Sequence, residues 1–124
     1  MDIRSLMRRA VQFNGSREAI VHGDIRLTFE QSWQRGLRLA NALLAMGLKP
    51  GDRVGSLEDN GIPAADFFVA AAVANLVRVP LYPRNKGETH VHMLGHTGCR
   101  AVIAAEEYVA EWDGLQAQLP AHER

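Results

Sequence analysis

Three histidines and a cysteine bring the most ligand-capable side chains closest together: His90, His92, His96 and Cys99. On a helix His92 and His96 are four residues apart and share a face, a spacing at which two imidazoles can serve one zinc ion. No acidic residue sits between them as in the HExxH pattern. His90 points away from the pair, and Cys99 lies beyond the helix stop at Gly98. The pattern therefore reads as solvated or capping histidines near a helix C-terminus, where positive charge is favoured. Cys99, ahead of an apolar strand, reads as a small core residue rather than a reactive thiol.

The loop Glu58-Asp59-Asn60-Gly61 is the second candidate. In open α/β sheets ligands bind beyond the carboxyl ends of strands, and this loop follows a strand. The simpler reading is that Asn60 caps the next helix and Asp59 favours its positive end. A phospho-receiver needs acids clustered at strand ends and a later lysine. Asp52 and Asp59 are present, but no acid ends the strand at Tyr82 and no lysine follows Ala105. The loops GxxxxGKS/T, GxGxxG and GxSxG are absent. None of Ser5, Ser16, Ser32 and Ser56 lies in a nucleophile context. The chain shows no means to cradle phosphates. The expected catalytic, cofactor-binding and metal-binding residues are accordingly none.

These residues must be held by a short series of elements. Ile3, Leu6, Met7 and Ala10 recur at helical spacing and open the chain with a helix. Glu18 to His22 and Ile25 to Leu27 flank the turn Gly23-Asp24 and predict a hairpin. Thr28-Phe29-Glu30-Gln31 fits a capping box. Phe29, Trp33, Leu37, Ala40, Leu43 and Leu44 then form one helical stripe that ends at Gly47. Arg53 to Leu57 reads as a strand. A nearly all-apolar helix follows, with Pro63 in its first turn, where a missing amide donor does no harm. Leu76 to Tyr82 is the next strand, and Pro80 near its end suggests an edge or a strand terminus. Glu88 to Thr97 is helical, Arg100 to Ala105 is a third strand, and a last helix runs from about Glu106 to Leu119 on Tyr108, Trp112, Leu115 and Leu119. Strand and helix alternate, which predicts an α/β fold: a small, mostly parallel sheet flanked by helices, with an N-terminal β-hairpin. Residues 1–124 read as a single α/β unit, with 120–124 as a frayed tail.

Composition narrows the function classes. Of 124 residues 47% are hydrophobic and 23% charged, which excludes a mostly disordered chain. Fourteen basic residues offset fourteen acidic ones, so the summed charge carries no footprint for nucleic acid or an anionic membrane. Arg4, Arg8 and Arg9 precede no apolar run of the kind a secretory signal needs. Ala64 to Val77 is interrupted by Asp66 and Asn75 and is shorter than the ~20 residues of a membrane span. One cysteine excludes an internal disulfide. The expectation is a soluble, cytoplasmic protein with no integral membrane segment and no nucleic-acid partner.

From Ala19 to Ala105 the motifs follow a specific order: AIVHGDIRLTF, LANAL, GLKPGDRV, EDNG, an apolar helix, VPLYP, a further helix and VIA. This series resembles the N-terminal part of the adenylate-forming (AMP-binding) superfamily, most of all acyl-CoA synthetases and fatty-acid-CoA ligases. In that family a strand pair ends in Thr-Tyr or Thr-Phe, here Thr28-Phe29. The helix carries a Leu-Ala pair, here Leu39-Ala40, before Gly-Asp-Arg-Val, here Gly51 to Val54. An Asn with a small residue follows, here Asn60-Gly61, and a valine-proline-leucine stretch closes in proline, here Val79 to Pro83. Two positions depart: the family's Ala-Gly after the buried helix is Ala74-Asn75, and its Glu-Leu pair is Thr89-His90.

The resemblance implies the leading part of an adenylate-forming N-domain. It implies ATP, magnesium and CoA for a full-length enzyme, and none of them for this chain. The family's phosphate loop, ribose-binding aspartate and catalytic lysine lie downstream of the matching region, so no catalytic role carries over to a residue here. The expected function is an N-terminal scaffold segment of an AMP-dependent acyl-CoA synthetase, catalytically inactive alone, with the remainder of the ligase as partner. The alternative is a stand-alone α/β module that binds or dimerises without catalysis, self-associating through exposed strand edges.

Overall fold

The computed structural model describes residues 1–119. The expected frayed tail, 120–124, lies outside the described residues. The chain divides into two compact units. One holds Met1–Pro50 and Asn60–Leu76, the other Gly51–Asp59 and the segment from Val77 onward.

The first unit opens with α1 (Ile3–Asn14), whose first turn is capped by Asp2: its carboxylate accepts the Ser5 amide at 2.7 Å. β1 (Glu18–His22) and β2 (Ile25–Thr28) form the expected antiparallel hairpin. Thr28 ends β2 and caps α2 (Phe29–Ala45). The capping box is complete: the Gln31 amide donates to Thr28 Oγ1 at 3.1 Å, and the Thr28 amide donates to Gln31 Oε1 at 2.9 Å.

α3 (Ile62–Ala74) packs on α2. The buried face of α2 is Ser32, Gly36, Ala40 and Leu43, whereas Leu44 from the expected stripe is 40% exposed. The reason lies at Gly36. A Cβ there would collide with Val69 of α3, so the two backbones approach at a position without a side chain. Small residues, not the largest apolar ones, therefore mark the contact. α3 also carries the buried Asp66. The Arg35 guanidinium of α2 answers it with two donors, Nε to Oδ1 at 2.9 Å and Nη2 to Oδ2 at 2.7 Å. A fork of this kind matches a carboxylate in both geometry and charge.

α3 ends in a left-handed residue, Asn75, with φ 55° and ψ 41°. The amide of Leu76 donates back to the Ala71 carbonyl at 2.9 Å and closes the turn. Asparagine tolerates this conformation better than other residues with a Cβ.

The second unit is a three-stranded parallel sheet of β3 (Arg53–Leu57), β4 (Val77–Leu81) and β5 (Cys99–Ala104), in the order β4-β3-β5. Arg53 registers with Val77 on one side and Cys99 on the other. Among the described residues β4 pairs on one side only, and Pro80 is its penultimate residue, so both readings of the proline hold. α4 (Gly87–Thr97) lies on the sheet, where a Cβ at Gly55 of β3 would stand 2.8 Å from Leu94 Cδ2. Leu57, Val79, Leu81, Leu94, Cys99 and Leu119 form the core, so Cys99 is the core residue its context predicts.

The last helix differs from expectation. Glu106–Tyr108 is a 3-10 turn, and α5 (Val109–Gln116) follows it. The Tyr108 amide donates to the Ala105 carbonyl three residues back, at 2.8 Å, which tightens the first turn. The apolar spacing runs through both pieces and does not reveal the change of pitch.

Two substitutions test these contacts. Gly36→Val should lower stability by about 1–3 kcal/mol through overpacking against Val69, measured by urea unfolding. Asn75→Ala should cost about 1–2 kcal/mol from left-handed strain, whereas Asn75→Gly should cost nothing by the same measurement.

Candidate functional site

In the second unit the crossover from β4 to β5 passes back over β3, so the topological switch lies between β3 and β5. Ligands of open α/β sheets bind at the carboxyl ends of such strands. Here those ends are tied by the protein itself. The Ala105 amide donates to the Leu57 carbonyl at 3.0 Å, and the Tyr108 hydroxyl donates to Asp59 Oδ2 at 2.8 Å. The hydrogen bond to Asp59 raises the Tyr108 phenol above its ordinary value, because ionisation would set phenolate against carboxylate.

Asp59 is thus a hydrogen-bond acceptor for a residue 49 positions later. Asn60 does not cap α3. The N-cap is Gly61, which makes no side-chain cap bond. Pro63 in the first turn leaves one amide fewer to be capped.

The histidines separate into two environments. His90 has no exposed surface, so it is not one of the solvated or capping residues expected. Its Nε2 donates to the Tyr82 carbonyl at 2.9 Å. Its Nδ1 lies 3.3 Å from Glu111 Oε1 of α5, within ion-pair range but without hydrogen-bond alignment. His90 therefore ties α4 to the residue that follows β4 and faces Glu111 of α5. His92 and His96 are exposed on α4, with their rings stacked at 5.7 Å between centroids and 14° between planes. Among the described residues no group of three or more His, Cys, Asp and Glu side chains could hold a metal ion.

The segments after the strands carry both signs of charge: Asp59 after β3, Arg84 and Lys86 after β4, and Glu106 and Glu107 after β5. No step of nucleotide chemistry is assigned to them. Among the described residues no helix is long and apolar enough to cross a membrane.

A parallel β4-β3-β5 sheet preceded by a capped helix and a hairpin defines an α/β unit of the kind found in ligase N-domains. The N-terminal domain of FACL13 from Mycobacterium tuberculosis superposes with a TM-score of 0.89 at 27% identity, over 96% of this chain and 30% of that one. The human mitochondrial medium-chain acyl-CoA ligase ACSF2 is 32% identical over 94 residues, 74% of this chain and 15% of that protein. Malpibaldin synthetase of Mortierella alpina is 33% identical over 101 residues, 82% of this chain and 2% of that protein. The model of the AMP-binding enzyme family matches residues 7–124, and the chain belongs to that family. It spans a small part of the length of the curated relatives it matches.

Four contacts were not legible in the sequence: Arg35 with Asp66, Tyr108 with Asp59, and His90 with the Tyr82 carbonyl and with Glu111. Each joins groups whose spacing follows no local period. The one available signal was Asp66, a lone acid in an apolar helix, which requires a partner when buried.

The Tyr108 contact makes a titration prediction. A raised folded value favours the neutral phenol, so its contribution to stability is present below the ordinary phenol value of about 10 and is lost as pH rises through the folded value. Asp59→Asn should bring the Tyr108 phenolate midpoint down, measured by ultraviolet absorbance against pH.

Proposed function

We propose that residues 1–124 form the leading scaffold portion of the N-domain of an AMP-dependent acyl-CoA synthetase. The observation that carries this reading is the match of the AMP-binding family model from residue 7 onward, joined to the likeness to a ligase N-terminal domain along nearly the whole chain. In the full enzyme a carboxylate displaces pyrophosphate from ATP to give an acyl-adenylate. The CoA thiol then takes the acyl group as a thioester and AMP leaves. The present residues contribute the capped α2, the α2–α3 packing and the start of a parallel sheet. They contribute no catalytic, cofactor-binding or metal-binding residue. The remainder of the ligase fold is the partner, and the cytoplasm is the compartment.

A second reading, a stand-alone module that dimerises, draws on the sheet edges. β4 and β5 each pair on one side only among the described residues. Such edges invite pairing with another strand.

The test is ATP–pyrophosphate exchange by the purified 124-residue chain across a panel of fatty and aromatic carboxylates. No exchange above the ATP-only blank is expected. Carboxylate-dependent exchange would overturn the scaffold reading.

A further inference from the structure

We propose that α1 is a membrane-surface helix that seats the first unit on anionic lipid. The formal net charge of zero hides a local excess. The helix carries Arg4, Arg8 and Arg9 and no acidic residue. None of these arginines makes an ion pair among the described residues. Asp2, the acid beside the helix, is engaged with the Ser5 amide at 2.7 Å. The three guanidinium groups therefore present a positive patch to water, which composition averaged over the whole chain does not reveal.

The same helix keeps its apolar side chains out of the core. It meets α2 and α3 but has no buried residue, and only Met7, Ala10, Val11 and Asn14 are half-buried. Ile3, Leu6 and Phe13 are 57%, 50% and 70% exposed, and their spacing puts them along one flank of the helix. Arg9 sits between Leu6 and Phe13 along the helix, with its guanidinium 5.8 Å from the Phe13 ring centroid. Arg4, Arg8, Arg9 and Phe13 line one open concavity. Cations set beside exposed apolar side chains match a lipid interface. The phenyl ring and aliphatic chains can enter the acyl boundary while the guanidinium groups stay at the depth of the phosphates. A second copy of the chain offers the same three arginines, so pairing α1 with α1 would set like charges against each other. An anionic bilayer offers the opposite charge.

Co-flotation of the 124-residue chain with vesicles tests the surface. The chain should float with vesicles of phosphatidylcholine and phosphatidylserine mixed at about two to one, and stay behind with phosphatidylcholine alone. Salt at about 0.5 M should release it, since the arginines are then screened. Each arginine changed to glutamine should lower the partition about five-fold, and Arg4→Gln/Arg8→Gln/Arg9→Gln about a hundredfold. Phe13→Ser should also weaken flotation. The far-ultraviolet circular dichroism of these variants should match that of the parent chain, since all four residues are exposed. No flotation, equal flotation with phosphatidylcholine alone, or a triple variant that floats as well as the parent would each overturn the proposal. So would a dimer in sedimentation that Phe13→Ser dissolves while vesicles capture nothing, which would give the flank to a second copy.

Discussion

β3 must be hydrogen-bonded on both sides, and the second unit depends on that requirement. Val54, Gly55, Ser56 and Leu57 are all buried, so water cannot satisfy their backbone groups. The partners are distant: Arg53 aligns with Val77 and with Cys99. Parallel strands cannot be joined by a tight turn, and the connecting segments here contain α3 and α4. The central strand forms only when both crossovers have returned the chain. That ties its stability to contacts across long loops, whose closure carries an entropic cost.

The same economy of space governs the helices. α4 lies over β3 because Gly55 leaves room for Leu94 and Val102. α2 meets α3 because Gly36 leaves room for Val69. In both places the absent side chain is the structural element, and the surrounding branched residues fill the gap. Close packing of this sort makes an added carbon more damaging than a deleted one at the surface.

The two departures from the family pattern each have a local physical account. Asn75 adopts a left-handed conformation, one that asparagine and glycine tolerate best. His90 stands where the family carries leucine and is fully enclosed. A buried imidazole needs partners; the Tyr82 carbonyl supplies one to Nε2, while Nδ1 faces Glu111 Oε1 at 3.3 Å without a hydrogen bond. The imidazole thus makes a directed contact between α4 and the residue that follows β4. At the other strand ends, Tyr108 and Asp59 satisfy each other. The carboxyl ends of β3 and β5 are held together by internal bonds.

Periodicity, caps and punctuation determined much of this protein by themselves. The hairpin at Gly23-Asp24, the capping box at Thr28, the strand at Arg53–Leu57, the edge at Pro80 and the stop at Gly98 all act over a few residues, and all were legible. So was the order of motifs that marks the family. Tertiary structure alone decided which face of α2 is buried, that Gly61 and not Asn60 precedes α3, that the last helix begins as a 3-10 turn, and that His90 is core while His92 and His96 are surface. Local signals report the conformations open to a short segment. Burial and pairing depend on which distant side chain arrives, and that is set by shape and charge across the folded chain.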